Sequence, residues 1–172
     1  MAASGPAVVK GGLWRTITVA VLTVVALGLL GAGVYPPVSK AIASANEADT
    51  RDEILQAARQ VGLNLMSMDH RTIEKDTQRV LSGSTGTFKD QYAAQTKTFI
   101  DEITKNQATS QAQVLGSGVT DYDEDSAEVI VAVSAVVTSP AVPNGAPRNM
   151  RFLIEMSKVD GKWLASKFGV IQ

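Results

Sequence analysis

From Thr16 to Val34 the chain reads TITVAVLTVVALGLLGAGV, without a single charge. A helix of that length rises about 28 Å, close to the roughly 30 Å hydrocarbon core of a bilayer. Its three threonines can return their hydroxyl hydrogen bonds to carbonyls one turn earlier, so they cost little in lipid. The run therefore predicts a transmembrane helix over 16–34. A buried helix of a globular domain would show a polar stripe, which this run lacks. A cleaved signal peptide is the other alternative, since Lys10 and Arg15 form a basic flank and Ala43-Ser44-Ala45 has the form of a cleavage site. The apolar run is longer than the usual 7 to about 15 residues of such a segment, and Pro36-Pro37 separates it from that site. The reading is an uncleaved anchor. Lys10 and Arg15 precede the span with no acid, and Lys40 alone follows closely, so the positive-inside rule predicts a single-pass plasma (inner) membrane protein with a cytoplasmic N-terminus. The chain divides into a tail (1–15), an anchor (16–34), a linker (35–45) and an exported domain (46–172).

The exported part has the size of one domain with one core. Sixteen basic against 17 acidic residues leave a net charge of −1, so no global field draws the chain to nucleic acid. The absence of cysteine excludes disulfides, thiolate metal sites and a cysteine nucleophile together. The domain must be stable on packing alone.

Along the chain, Tyr35-Pro36-Pro37 stops the anchor helix, because proline lacks the amide hydrogen and restricts the residue before it. Ser44 and Glu47 have capping-box spacing, which starts a helix near Ala45. Ile54, Ala58, Val61 and Leu65 step by four, three and four and form its apolar face, while Asp52, Glu53, Arg59 and Gln60 stay wet. Ser67–Arg71 (SMDHR) interrupts the pattern. Ile73, Val80 and Leu81 mark a shorter helix closed by Ser82-Gly83-Ser84. Thr87 with Asp90 offers a cap for a third helix, carrying Phe88, Tyr92, Phe99 and Ile103 to about Gln107.

From Val114 the pattern changes to period two and β-branched composition, giving four strands: QVLGSGVT, AEVIVAVSAVVTS, RFLIEMSKV and KWLASKFGVI. Val129, Val131 and Val133 on one face and Ile130, Ala132 and Val136 on the other predict a central strand covered on both sides. Pro140–Pro147 (PAVPNGAP) reads as an exposed loop between two strands. Asp160-Gly161 supplies the positive φ angles of a tight hairpin joining the last two strands. Three helices followed by an antiparallel meander give an α+β domain.

These residues, in this order, resemble the Mce-associated membrane proteins of mycobacteria and their relatives. The resemblance rests on the anchor, on Val80-Leu81-Ser82-Gly83 leading through Thr85-Gly86 and Phe88 to Tyr92, on the valine-rich strand, and on Lys158-Val159-Asp160-Gly161-Lys162-Trp163-Leu164. It implies an NTF2-like cone, similar also to the periplasmic domain of the VirB8 scaffolds of type IV secretion, with three helices packed on a curved antiparallel sheet of about four strands. It also implies association with Mce lipid importers, whose assembly or stability such proteins are thought to support. Where similar proteins often have tyrosine between the first two helices, this chain has Met66, Met68 and His70.

Few residues are arranged for chemistry. Asp121, Asp123 and Asp125 alternate like the first ligands of a calcium loop, but the sixth and twelfth positions hold Ser126 and Ala132, where such a loop needs glycine and glutamate. They read as an exposed acidic turn that discourages edge-to-edge association. His70, the single histidine, would have to serve any Ser-His-Asp triad; between Asp69 and Arg71 it reads as a surface or capping residue. Gly116-Ser117-Gly118 lacks the third glycine of a dinucleotide loop, and Gly83–Gly86 lacks the Lys-Ser/Thr of a phosphate loop. No catalytic, cofactor or metal residue is assigned. Met66, Met68, Phe88, Tyr92, Phe99, Phe152, Met156, Trp163 and Phe168 form either ordinary core or the lining of a lipid-sized cavity. Glu155 alternates away from Phe152, Ile154 and Met156 and so faces outward. The expected function is that of a non-enzymatic tethered scaffold binding envelope membrane proteins, Mce subunits among them. The alternative is a lipid-binding domain holding an apolar ligand.

Overall fold

The steps of four and three at Ile54, Ala58 and Val61 produce the helix they predict, α1 over 46–66, with Ile54 and Ala58 wholly buried and Asp52, Glu53, Arg59 and Gln60 exposed. The computed structural model describes residues 46–171, nearly all within one compact unit, Ala48–Gln172. The tail, the anchor at 16–34, the linker and Ser44 of the capping box lie outside the described residues. After α1 come β1 (Met68–Asp69), α2 (Ile73–Ser82), α3 (Gly86–Lys105), β2 (Thr109–Tyr122), β3 (Ser126–Ser139), β4 (Val142–Val159) and β5 (Lys162–Ile171). The strands form one antiparallel sheet in sequence order. Register shifts in β2, between Val137 and Ser139 and between Glu155 and Met156 mark bulges, which bend and twist strands, and the sheet curls around α1. No described helix is long and apolar enough to cross a membrane.

The core lies between α1 and the inward residues of β3 and β4. Val129, Val131, Val133 and Ile154 are fully buried, with Phe152, Met156 and Ala165 beside them. Each such aliphatic side chain contributes about 1.5–3 kcal/mol on leaving water. Gly62 sets how closely the helix lies on the sheet. A Cβ there would meet Val133 Cγ2 at 3.2 Å and Val131 Cγ1 at 3.3 Å. Glycine costs helix stability of about 1 kcal/mol relative to alanine, and here it admits the backbone to the face of β3.

Four expectations are corrected. The sheet has five strands, not four: within the SMDHR interruption, Met68 pairs with Ser110 and Asp69 with Thr109. Two residues are too few to show a period, and the pairing is secured from outside, by Ser110 Oγ donating to the Met66 carbonyl at 2.6 Å and the His70 amide donating to Ala108 O at 3.0 Å.

α3 begins after Thr85, not Thr87. The linker before it is held by β5, with the Thr85 amide donating to Ala165 O (2.8 Å) and the Ala165 amide donating to Gly83 O (3.0 Å), and by α2, with Ser84 Oγ donating to Val80 O (2.6 Å). The Gly83–Gly86 stretch is thus a structural clasp.

Most of the predicted Pro140–Pro147 loop is strand, because β4 starts at Val142. β5 pairs only with Arg151–Val159, so residues 142–150 of β4 have a free edge. An edge tolerates Pro143 and Pro147, which have no amide hydrogen to give a ladder. Finally, β3 is central but, among the described residues, covered on one face only. Ile130 and Ala132 are half-exposed and Val136 is 49% exposed, because all three helices lie on the Val129–Val131–Val133 side. The Asp160-Gly161 hairpin forms as expected, with φ of 50° and 76°.

Candidate binding groove

α3 is twenty residues long, yet Phe88 is its one buried residue. Phe88, Tyr92, Phe99 and Ile103 recur at helical spacing on its apolar stripe, and the last three are half-buried. Instead of closing over the core, that stripe borders a groove. One part, about 250 Å³, is lined by Leu65, Phe88, Tyr92, Phe99 and Phe168, with Gln91, Gln95 and Thr96 at its rim. A second part, about 150 Å³, is lined by Leu65, Met66, Met68, Ile103, Ala108 and Val137. Leu65 of α1 is common to both. Each lies below the roughly 300 Å³ at which drug-sized ligand sites begin.

The aromatic wall is continuous with the core. Phe152 and Phe168 have ring centroids 4.7 Å apart, Phe168 stacks on Phe88 at 5.3 Å, Phe88 meets Tyr92 at 5.9 Å, and Tyr92 meets Phe99 at 6.5 Å. Such tilted and offset contacts stabilise beyond the area they bury. Burial, and then the nearby Asp76 charge, pushes the Tyr92 phenol up to about 12.

The nine residues predicted as core or cavity lining divide between the two. Met66, Met68, Phe88, Tyr92, Phe99 and Phe168 border the groove. Phe152, Met156 and Trp163 are buried in the core at 2%, 1% and 7% exposure. Leu65, Ile103 and Val137 were not in that set. Leu65 and Ile103 end their apolar stripes, where a helix passes beyond the core, and this is the signal that marks them.

The polar candidates hold structure. Asp69 accepts two bonds from the Arg71 guanidinium Nε, at 2.9 and 3.2 Å, and the Arg71 amide at 2.9 Å, and these hold its carboxyl well below the usual range. His70 Nδ1 lies 3.4 Å from Thr109 Oγ1 and 3.6 Å from Asp69 Oδ1. Both neighbours meet the same ring nitrogen, whereas a triad relay engages opposite ones. Asp76, 3% exposed, accepts the Asp69 amide at 2.9 Å, Arg79 at 2.6 Å and the Thr72 hydroxyl at 3.3 Å, joining β1 to α2.

In the acidic turn, the Asp123 carboxylate accepts the Ser126 amide (2.7 Å), the Ser126 hydroxyl (2.9 Å) and the Asp125 amide (3.2 Å), which lower its pKa. All three fall on Oδ1, which closes the turn between β2 and β3. Among the described residues no group of three or more His, Cys, Asp or Glu is arranged to hold a metal ion. Gly116-Ser117-Gly118 lies inside β2, with no helix after it. Glu155 faces outward as expected and pairs with Lys167 at 2.8 Å.

Residues 14–171 match the model of a family described as uncharacterized protein Rv1363c/MT1408-like. The chain belongs to this family. A relative from Mycobacterium tuberculosis, the uncharacterized protein Rv1363c, is 27% identical over 156 residues, covering 88% of this chain and 58% of the relative. The chain thus spans little more than half of that protein. Among solved structures, the periplasmic domain of DotI matches with a TM-score of 0.58 at 14% identity, covering 69% of this chain and 92% of that one. CagV, a VirB8 homolog of the type IV secretion system of Helicobacter pylori, matches with a TM-score of 0.55 at 8% identity, covering 70% and 99%. At such identities the likeness is one of fold: three helices on a curled five-stranded antiparallel sheet, of the VirB8 and NTF2-like kind.

Proposed function

We propose that this chain is a single-pass, non-enzymatic accessory protein whose exported domain helps assemble or stabilise an Mce-type lipid import complex by contact with its membrane subunits. The observation that carries this reading is the fold. The described domain matches nearly the whole of two chains, the periplasmic domain of DotI and CagV, a VirB8 homolog of a type IV secretion system. The charge-free run from Thr16 to Val34 supplies the tether. Confinement to the membrane raises the domain's effective concentration toward membrane partners, so weak contacts suffice. The test is affinity purification of the tagged chain from native membranes at native abundance. Importer subunits are expected to co-purify; recovery of the chain alone refutes the reading.

The groove favours a second reading, an apolar ligand carried between α3 and the sheet. Its 150 Å³ part is lined almost wholly by apolar side chains. Native mass spectrometry of the gently purified chain is expected to show a lipid-sized mass addition. An empty protein that also fails to take up a fluorescent fatty acid refutes this reading.

A further inference from the structure

The face of the sheet turned away from α1 is bare of helices among the described residues, but it is not a polar surface. The strand register puts Gly118, Ile130, Leu153 and Gly169 in one row across β2 to β5. The next row toward the β2–β3 turn holds Asp121, Glu128, Glu155 and Lys167. The next row in the other direction holds Gly116, Ala132, Arg151 and Ile171. A low aliphatic strip, flanked by glycines, therefore separates a net acidic row from one whose charge is Arg151. Cβ atoms added at Gly116 and Gly118 would meet nothing within 4 Å, so the backbone is open to close approach there. Shallow depressions adjoin the strip on both sides, one of about 240 Å³ along Asp121, Glu128 and Glu155, the other of about 480 Å³ along Leu115, Ala132 and Arg151.

We propose that this face is the contact between two copies of the chain, related by a two-fold axis along the Gly118–Ile130–Leu153–Gly169 row. An axis in the sheet plane and perpendicular to the strands turns one face onto the other and reverses strand direction, leaving each strand opposite itself. Leu153 then meets Leu153 of the second copy, and Ile130 meets Ile130. Glu155, two residues to one side of the axis, meets Arg151 of the second copy, two residues to the other side, and the pair forms twice. An axis along the strands would set acidic row against acidic row. The sequence Arg151-Phe152-Leu153-Ile154-Glu155 is thus self-complementary on its outward positions, as a closed two-fold contact requires.

The dimensions allow a modest contact. Four strands at about 4.8 Å spacing and nine residues at about 3.3 Å give a face on the order of 600 Å² in projection. That is below the roughly 800 Å² per partner of a standard interface, in keeping with a weak contact between copies. Aligned sheets packed face to face lie about 10 Å apart, close enough for outward side chains to interdigitate.

Sedimentation equilibrium of the full chain in density-matched micelles tests the proposal, with circular dichroism to confirm that each variant is folded. The wild-type chain is expected to dimerise at micromolar concentration. Arg151→Glu sets glutamate against Glu155 twice and is expected to weaken the dimer at least about tenfold, and Glu155→Arg to do the same by setting arginine against Arg151. The double exchange Arg151→Glu/Glu155→Arg restores both pairs, and its dimer is expected to recover to within about threefold of wild type. A monomeric wild-type chain overturns the proposal. So do single variants that dimerise like wild type, which would place the contact elsewhere, and a double exchange no better than the single ones.

Discussion

Replacing Asp76 with alanine tests whether a buried carboxylate, more than apolar packing, fixes the joint between β1 and α2. The side chain is 4% exposed and receives the Asp69 amide at 2.9 Å, Arg79 at 2.6 Å and the Thr72 hydroxyl at 3.3 Å. A hydrogen bond to a charged group contributes about 1.5–3 kcal/mol, and the Asp69 amide bond is of that kind. The long Thr72 bond adds little. The Arg79 side chain is 55% exposed, so its guanidinium regains water when the pair is broken, and the pair contributes about 0.5 kcal/mol. Asp76→Ala should therefore cost about 3 kcal/mol, or about 10 °C in Tm for a domain of this size. Asp76→Asn keeps an oxygen for the Asp69 amide and should cost about half as much. Arg79→Ala should cost less than about 1 kcal/mol. Urea unfolding followed by Trp163 fluorescence in a Trp14→Phe background reads the described domain alone. The reasoning fails if Asp76→Ala lies within about 0.5 kcal/mol of wild type, or if Arg79→Ala is as costly, since the surface pair would then carry the joint.

Gly62→Val should destabilise by about 1–3 kcal/mol in the same assay, because branched carbons would be forced into Val131 and Val133; a neutral outcome would mean that α1 can ride away from β3 freely. The carboxylates of Asp69, held down first by the Arg71 side chain, and Asp123, held down first by the Ser126 amide, are both depressed. Between the depressed value and the ordinary value of about 3.9 the unfolded chain binds more protons, so their stabilisation is complete above about pH 4 and drains away as pH falls. Urea midpoints at pH 5 and pH 3 should differ less in Asp69→Asn than in wild type, and an equal difference would refute the assignment. For Tyr92, raised to about 12, the sign reverses: stability is lost as pH climbs from about 10 to 12. An absorbance titration should show a tyrosine ionising near the top of that range that is missing from Tyr92→Phe. Phe99→Ser, at a half-buried site, should cost less than about 1.5 kcal/mol of stability yet weaken uptake of a fluorescent fatty acid about tenfold, and unchanged uptake would rule out the groove as its site.

The sequence announced those elements whose period is enforced by burial on one side. Ile54, Ala58 and Val61 repeat because α1 has one dry face, and Val129, Val131 and Val133 repeat because the inward side of β3 meets it. Asp160-Gly161 was legible because a two-residue hairpin imposes its φ angles locally. β1 was not, since two residues carry no period and their pairing is decided by Thr109 and Ser110, forty residues on. Nor was the start of β4, where Pro143 and Pro147 read as loop; what admits them is the early end of β5, a fact about a neighbouring strand. The groove was half legible. Its aromatics stood out by spacing, but nothing local separates Phe99, at its margin, from Phe152, in the core.

The most instructive misreading is β3, because its cause lies in what burial patterns encode. A strand apolar on both faces predicts cover on both faces, and the described residues supply cover for one. The pattern on the uncovered face is not that of a second core: Ile130, Ala132 and Leu153 are interrupted by Gly116, Gly118 and Gly169, and the next rows are charged. A helix packed there would bury Asp121, Glu128 and Glu155 beside a single lysine, an arrangement whose desolvation few contacts repay. A second copy of the same sheet brings its own Arg151 to Glu155, which a helix packed there would leave to Lys167 alone, and sets Asp121 and Glu128 opposite the small residues Gly116 and Ala132. On the proposed contact, the alternation of β3 records cover by the described helices on one side and by a second copy on the other. Exchanging Arg151 and Glu155 tests that reading without disturbing the inward face that folds the domain.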